Sequence, residues 1–269
     1  MTRLCALYGV TRAGYYAWRR RPVSHHAAQD RELQRRIQRL FQHHRGAYGS
    51  PRIQRALHAE GCAVSRRRVA RLMRRAGLRA RVVRIYRANP RLHRFYGQHP
   101  NRLWARAATR PDQIWVGDIT YLPVGGRWRF LAVVLDQYSR RVLAWRLGCT
   151  RDARLTRGVL DAAVRRRRPH AGLIFHSDRG SEYAGRAFRD RLRALGIRQS
   201  TTRGGTPGDN AHMESFFHSL KAELIHGAQF ATARALRLAL GGYFRYYNYR
   251  RLHSALRYRA PADYEARVA

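Results

Sequence analysis

Three strand-like segments in succession constrain the fold of this chain more than any other feature. Residues 114–124, 128–135 and 142–147 are rich in β-branched, aromatic and other apolar side chains. Gly125 and Gly126 separate the first two segments, and a glycine pair is typical of a tight hairpin turn. The spacing therefore predicts three consecutive strands, of which the first two form a hairpin.

The segments after the third strand alternate between helix and strand patterns. Helical spacing runs through residues 152–168, a short apolar strand follows at 173–175, and Gly196 ends a helix at 186–195. Three consecutive strands followed by this alternation predict an α/β fold, a mixed sheet with helices packed on it.

The first part of the chain has helical patterns instead. Ser50 predicts the cap of a helix with Pro51 at its first position, and Gly61 ends that helix. Ser65 predicts the cap of a second helix that Gly77 stops. Two short helices with a tight turn match helix-turn-helix spacing, in which the second helix enters the major groove. The alternative is a helical hairpin with an arginine-coated surface. The second helix carries Arg66, Arg67, Arg68, Arg71, Arg74 and Arg75.

The charge of the chain indicates the kind of partner. The sequence has 55 Lys and Arg residues against 16 Asp and Glu residues, a net charge of +39. Repulsion among so many cations destabilises a compact state unless a polyanion screens it, so nucleic acid is the expected partner. Lys221 is the only lysine, and all other cationic side chains among the 55 are arginine.

The charge is concentrated in the first 100 residues, which carry 24 basic and 3 acidic residues, whereas residues 101–269 carry 31 and 13. Asn-Pro, His-Pro and Arg-Pro pairs interrupt any regular pattern near residues 88–112. We therefore expect residues 1–100 to form a basic helical DNA-binding region, with the helix-turn-helix near 45–80. Residues 101–269 are expected to form the α/β core with C-terminal helices.

Membrane and disulfide-stabilised classes of protein do not fit the sequence. No apolar run approaches 18 residues, and no signal peptide opens the chain. Cys5, Cys62 and Cys149 are odd in number and widely spaced, which predicts neither a disulfide framework nor a zinc site. The cysteine usage suits a reducing cytoplasm.

Three acidic residues are candidates for chemistry on nucleic acid. Phosphodiester chemistry needs hard oxygen ligands that hold Mg²⁺ beside the attacking and leaving oxygens. Asp118 lies inside the first strand among apolar residues, where a carboxylate is costly to bury unless it is paired or binds a metal. Asp178 directly follows the strand at 173–175, the strand-end position at which open α/β sheets bind ligands. Glu214 lies on a predicted helix.

Helical spacing relates Glu214 to the single lysine. Asn210, Glu214, Phe217 and Lys221 fall near one face of this helix, which Asp209 or Asn210 would cap. Glu214 would then reach the two aspartates while Lys221 contacts the DNA backbone. Each of these residues could separately be structural or simply exposed, but their combination favours an active site.

The spacing of these residues resembles a known family. Between the three acids lie 59 and 35 residues, and the lysine follows Glu214 by seven. This pattern is similar to the DDE(K) motif of the IS3-family insertion-sequence transposases, second open reading frame product. The most specific blocks are residues 176–180 (HSDRG), 209–211 (DNA) and 214–216 (ESF).

The resemblance implies a retroviral-integrase-like core of ribonuclease H-like fold with two Mg²⁺ ions, for which Mn²⁺ could substitute. By the same similarity, Asp118 and Asp178 would bind both ions and Glu214 would complete the second. Metal-activated water would cleave at the element end, and the released 3′-OH would attack a phosphodiester, in this family one element end attacking the other to give a circular intermediate. The expected DNA contacts are Lys221, Arg66, Arg67, Arg68, Arg71 and Asn210.

The implied partners are double-stranded DNA, as terminal inverted repeats and target, and further copies of the chain in a homo-oligomer on DNA. The resemblance also implies a location in the bacterial cytoplasm, associated with the nucleoid. The family enzyme is commonly a frameshift fusion with an upstream helix-turn-helix product, so such a fusion or partner is expected too. Residues 203–208 lack the lysine and aromatic residue usual in the family, which affects substrate contacts more than metal binding. The alternatives are a non-catalytic DNA-binding regulator or inactive transposase remnant, and a nuclease of ribonuclease H type.

Other candidate residues have more ordinary interpretations. Asp136 ends the second strand and fits a turn acid better than an active-site acid. His176 could orient a metal ligand or pack in the core. The aromatic cluster at 243–249 could stack on bases, although packing on the core is preferred for most of it.

Overall fold

The computed structural model describes residues 1–20, 24–81, 108–203 and 207–267. The chain divides into two compact units, Met1–Ala80 and Arg81–Ala269. The boundary predicted near residues 88–112 falls largely on 82–107, outside the described ranges. No helix within those ranges is both long and apolar enough to cross a bilayer.

The first unit is helical. Ser65 caps its last helix as predicted, because its hydroxyl accepts the N–H of Arg68 at 3.2 Å. The cap predicted at Ser50 is wrong, since Gly49 holds the capping position and Ser50 is the first helical residue. Proline is tolerated throughout the first turn of a helix, because the missing N–H has no acceptor there in any case. Pro51 therefore did not determine the residue at which this helix begins. The helices are α1 (Thr2–Leu7), α2 (Arg12–Arg20), α3 (His25–His43), α4 (Ser50–Ala59) and α5 (Arg66–Arg75).

Helices α3, α4 and α5 share one small core. Ile37, Ile53 and Leu72 are completely buried, one from each helix. Asp30 of α3 adds a polar link, because its carboxylate binds Arg68 Nε at 2.8 Å and an Arg71 terminal nitrogen at 2.6 Å on α5. The unit is therefore held by apolar packing and by one buried acid.

The second unit is built on a five-stranded sheet. Its strands are β1 (Ile114–Val124), β2 (Arg127–Asp136), β3 (Val142–Gly148), β4 (Ile174–Ser177) and β5 (Arg198–Thr201). Their order is β3-β2-β1-β4-β5, with antiparallel pairing among β1, β2 and β3 and parallel pairing of β1 with β4 and of β4 with β5. The predicted mixed sheet and its three consecutive strands are confirmed, whereas β5 was not predicted. Gly125 and Gly126 make the turn with φ of +52° and +73°, conformations that favour glycine.

Helices cover both faces of this sheet. They are α6 (Ala153–Arg167), α7 (Ser181–Ala184), α8 (Arg186–Ala194), α9 (Ala211–Leu220), α10 (Ala233–Tyr249) and α11 (Pro261–Glu265). Trp115 of β1 belongs to the core beneath α6 and α8, whereas its neighbour Val116 belongs to the core beneath α9 and α10. This alternation follows from the two-residue period of a strand, and it buries β1 on both faces.

The aromatic residues of α10 pack mainly on the core, as preferred from the sequence. Tyr243, Phe244 and Tyr247 are buried, and the Tyr247 ring meets Phe216 of α9 edge to face with centroids 5.1 Å apart. The Asn248 side chain binds both the N–H and the carbonyl of Val142 at 2.9 Å. These contacts attach α10 to α9 and to the start of β3.

Candidate active site

The pairing of β1 with β4 brings two of the predicted acids together. Ile114 pairs with Ile174 and Val116 with His176 in parallel register. The same register continued for two residues sets Asp118 opposite Asp178, just beyond the end of β4. The two carboxylates thus meet where the ladder between these strands ends.

The pKa of Asp118 reflects this proximity. Burial raises the pKa of Asp118 well above its usual range, and the charge of Asp178 raises it further. The N–H of Ile119 donates to the Asp118 carboxylate at 2.7 Å, which lowers the pKa only in part. The raised pKa means that this pair of carboxyls favours binding a proton or another cation.

A glycine keeps the two strands at this separation. A Cβ at Gly117 would lie 2.4 Å from Cζ of Phe175, the ring on the neighbouring strand β4. Phe175 cannot easily move away, since it is completely buried and its ring contacts those of Tyr183 and Phe188. Glycine at 117 thus lets β4 approach β1 directly beside Asp118.

Two further charged residues border the aspartates, and the sequence did not single them out. Glu182 is buried and binds Arg151, with Nε at 2.7 Å and a terminal nitrogen at 2.5 Å from its carboxylate. The charges of both Asp178 and Asp118 act on the Arg151 guanidinium. The N–H of Gly180 donates to Asp178 at 3.0 Å, which holds this loop beside the site. Arg151 and Glu182 lie 31 residues apart along the chain, so no local sequence pattern indicates that they pair.

Lys221 lies beside the aspartates, at the point where α9 ends. Residues Lys221–Ile225 form a π-helical turn that continues α9. Burial lowers the pKa of Lys221, and the charge of Asp118 opposes that shift. The Lys221 ammonium also lies over the Tyr121 ring, 5.1 Å from its centroid. The structure therefore brings Lys221, Asp118 and Asp178 into one neighbourhood.

Glu214 has a different environment from the two aspartates. It is exposed on α9, and partial burial alone raises its pKa. Phe217, predicted to share its face, is buried in the core instead. Among residues 1–20, 24–81, 108–203 and 207–267, no three His, Cys, Asp or Glu side chains lie close enough to hold one metal ion.

The residues before α9 also differ from the expectation. Asn210 is buried and occupies the capping position, but its side chain makes no cap hydrogen bond. The Asp209 carboxylate accepts the backbone N–H of Arg203 at 2.8 Å and contacts that guanidinium. A 3₁₀ turn, Pro207–Asn210, leads into α9. Asn210 therefore holds the predicted capping position, but without the expected side-chain hydrogen bond.

The chemistry of the aspartate pair fits a divalent cation. Burial and the neighbouring charge of Asp178 raise the pKa of Asp118, and the two carboxylates supply hard oxygen ligands of the kind that Mg²⁺ prefers. Arg151 is engaged by Glu182, and burial lowers the pKa of Lys221. Asp118 and Asp178 are thus the residues that fit such an ion.

The predicted DNA contacts in the first unit lie on α5. Arg66 and Arg67 are exposed at its start. Arg68 and Arg71 bind Asp30, so part of their charge serves to hold α5 against α3. All four remain predictions as DNA contacts.

Asp136 and His176 have structural partners. The Asp136 carboxylate is completely buried and accepts the N–H of Ser139 and of Asp112, both at 2.8 Å, so the turn interpretation is confirmed. His176 lies 2.9 Å from the Ser200 hydroxyl across β4 and β5, and burial lowers its pKa to about 4. A neutral imidazole buried between strands fits packing better than a role as a proton carrier at neutral pH.

Family models match both units. An integrase core domain model matches residues 108–207, and a second model of the same description matches residues 195–261. An HTH-like domain model matches residues 28–86, which include most of α3 and all of α4 and α5. The matches cover the helices of the predicted DNA-binding region and the strands that carry the aspartate pair.

Relatives match over nearly the whole chain. The transposase for insertion sequence element IS904 of Lactococcus lactis subsp. lactis (strain IL1403) is 36% identical over 245 residues, 87% of this chain and 93% of that protein. Transposase InsF for insertion sequence IS3A of Escherichia coli (strain K12) is 34% identical over 268 residues, 97% of this chain and 92% of that protein.

A solved structure has a similar fold. A chain in the cryo-electron-microscopy structure of the simian T-cell lymphotropic virus intasome, in complex with PP2A regulatory subunit B56 gamma, superposes with a TM-score of 0.51. It is 18% identical, with 79% of this chain and 70% of that chain covered. This likeness confirms the ribonuclease H-like fold.

Proposed function

This chain belongs to the IS3-family insertion-sequence transposases with a DDE-type integrase core, and we propose that it catalyses divalent-metal-dependent cleavage at element ends and their transfer to another DNA strand. The pairing of Asp118 with Asp178 carries this proposal. The parallel register of β1 and β4, continued for two residues, sets the two acids opposite each other. Burial and the charge of Asp178 together raise the pKa of Asp118.

Asp118 and Asp178 would hold the metal, with Glu214 as the third carboxylate once DNA occupies the site. When bound, Mg²⁺ would supply charge neutralisation at the attacking and leaving oxygens of an in-line displacement. Lys221 extends beside Asp118 and would donate to a backbone phosphate. Arg151, fixed by Glu182, would hold a positive charge at the rim of the pair.

DNA recognition is proposed to be divided along the chain. Residues 1–100 would bind the terminal inverted repeats, with Arg66 and Arg67 as exposed contacts and α5 in the major groove. Residues 101–269 would carry the chemistry. A homo-oligomer on DNA, joined with or assisted by an upstream helix-turn-helix product, would bring two element ends together.

The experiment is a cleavage and strand-transfer assay with the full chain. The substrate is a labelled duplex whose sequence is taken from the DNA that flanks the coding region. We expect Mg²⁺- or Mn²⁺-dependent nicking, lowered about 10³-fold or more by Asp118→Asn, Asp178→Asn or Glu214→Gln because each removes a charged metal ligand. DNA affinity in the absence of metal should stay near that of the wild type.

Asp190→Asn is the matched control, since Asp190 is a half-exposed acid of α8 that pairs with Arg193 on the same helix. This variant should retain full activity. Full activity in one of the three active-site variants would remove that residue from the mechanism. Binding without nicking in the wild type would instead favour a regulator or an inactive remnant, and cleavage of an RNA-DNA hybrid in preference to the duplex would indicate a nuclease of ribonuclease H type.

A further inference from the structure

An exposed aromatic pair lies on the β1-β2 hairpin, whose first strand also carries Asp118. Tyr121 is 58% exposed and Trp128 is 56% exposed. Their ring centroids are 5.1 Å apart and their planes are nearly perpendicular, at 86°. Neither ring belongs to the two buried clusters of the described part of the second unit. Two large rings left beside each other in water present π faces to a ligand.

The hairpin holds this pair rigidly. Tyr121 pairs with Phe130 and Pro123 pairs with Trp128, so the two rings are diagonal neighbours on one face of the sheet. The turn is anchored as well, because the N–H of Gly125 donates to the carbonyl of Phe230 at 2.9 Å. Little conformational entropy would therefore be lost when a flat ligand binds to these rings.

A cation connects the pair to the active site. The Lys221 ammonium lies over the Tyr121 ring, 5.1 Å from its centroid, and it is also within the electrostatic influence of Asp118. An aromatic ring beside a cation suits a nucleotide, since the base can stack on the ring while the phosphate binds the cation. The net charge of +39 further favours a polyanion over a protein or lipid surface as the occupant.

We propose that Tyr121 and Trp128 form a stacking platform for an unpaired base of the DNA strand whose phosphodiester lies at Asp118 and Asp178. The proposal rests on the transposase function and refines its substrate to DNA with unpaired nucleotides at the reacting position. Bases inside a duplex are covered on both faces by their neighbours, whereas a base freed from its pair can offer either face to Tyr121 or Trp128. Strand separation at the reacting end would then be stabilised by the platform.

The test compares two labelled duplexes of identical sequence, one blunt and one with an unpaired thymidine overhang, by fluorescence anisotropy without divalent metal. The full-length wild type should bind the overhang more tightly. Trp128→Leu and Tyr121→Leu should each weaken overhang binding by about 5- to 100-fold, the range of losing one base–aromatic stack, and leave blunt-duplex affinity unchanged. Trp128→Phe should retain most of the affinity, because it keeps an aromatic face.

Tyr249→Leu is the matched control, since Tyr249 is a 47% exposed tyrosine of α10, and it should leave both affinities unchanged. Circular dichroism would establish that each variant is folded. Wild-type affinity for the overhang in the folded Trp128→Leu and Tyr121→Leu variants would overturn the platform. So would a change in sedimentation of the free Trp128→Leu protein with both DNA affinities unchanged, because the pair would then be an interface between copies.

The overhang-binding test and the cleavage assay can fail independently of each other. Nicking by the wild type together with unaltered overhang binding by Trp128→Leu would refute the platform alone. An overhang-specific loss in Trp128→Leu without any metal-dependent nicking by the wild type would refute the transposase chemistry and leave a protein that binds unpaired DNA.

Discussion

Gly117 precedes Asp118 and lies against the ring of Phe175. A single methyl group added at this position should lower the free energy of unfolding. In Gly117→Ala the new Cβ would meet Phe175 Cζ at 2.4 Å, well inside van der Waals contact. Overpacking of this kind costs about 1–3 kcal/mol of unfolding free energy, because a buried ring or the strand must shift. Urea unfolding should show this loss of stability. Cleavage activity should fall as well, because a shift of β4 would displace Asp178, which directly follows that strand.

Gly242→Ala is the control for that prediction. Gly242 lies inside α10, and a Cβ there would meet nothing within 4 Å. Alanine should therefore leave stability unchanged or raise it by up to about 1 kcal/mol through helix propensity. Adding Phe175→Leu to Gly117→Ala should recover part of the lost stability. A Gly117→Ala protein as stable and active as the wild type would show that β4 tolerates displacement.

Single residues differed in how well the sequence could predict them. Asp118 and Asp178 could be identified because a carboxylate in an apolar strand and one at a strand end are both unusual. Arg151 and Glu182 could not, because Glu182 has no such local context and its partner lies 31 residues away. The exposure of Glu214 likewise depends on how α9 packs, which the helical period alone does not determine.

Whole elements were predicted best where a local signal delimits them. The Gly125-Gly126 turn and the apolar segments on both sides of it identified β1 and β2, and β1 has the predicted bounds. Strand β5 has the sequence RQST, without apolar alternation, and becomes a strand because β4 offers it a parallel partner. The π-helical turn at Lys221–Ile225 was also not predicted, since its sequence continues the helical pattern of α9.

The contact between α3 and α5 predicts a pH dependence for the first unit. Hydrogen bonds from Arg71 and Arg68 lower the pKa of Asp30 below 3.8, its value in an unfolded chain. A lowered pKa stabilises the folded state above pH 3.8, and this stabilisation is lost as the pH falls through the lower, folded-state value. Asp30→Asn should destabilise the unit by about 1–2 kcal/mol at pH 7, less than for a fully buried pair because Arg71 is half exposed.

Amide hydrogen exchange in α3 and α5 would measure this effect between pH 3 and pH 7. The difference between Asp30→Asn and the wild type should begin to shrink as the pH falls below about 4, because Asp30 then becomes protonated in the unfolded chain before it does in the folded one. Glu32→Gln serves as the control, because Glu32 forms an exposed pair with Arg35 three residues along the same helix. A difference that stays constant with pH would mean that the Asp30 charge does not hold these helices together.

At the scale of the whole molecule, the excess of arginine dominates binding. With 55 basic and 16 acidic residues, at least 39 cations remain after every acid has neutralised one of them. Phosphate contacts made by such cations release condensed counterions, so the logarithm of the DNA association constant should fall linearly with the logarithm of salt concentration. For about 6–10 contacts, affinity should drop about 10³- to 10⁵-fold between 50 and 200 mM salt.

The slope of that line also tests where the contacts lie. Arg66→Gln and Arg67→Gln should each reduce its magnitude by about 1, because each would remove one phosphate contact. Arg35→Gln should leave it unchanged, since Glu32 already pairs with that guanidinium at 3.2 Å. Anisotropy titrations of one labelled duplex over a salt series would measure all four proteins. A slope near zero for the wild type would refute backbone-dominated binding, whereas a steep slope unaffected by Arg66 and Arg67 would exclude the start of α5 from the interface.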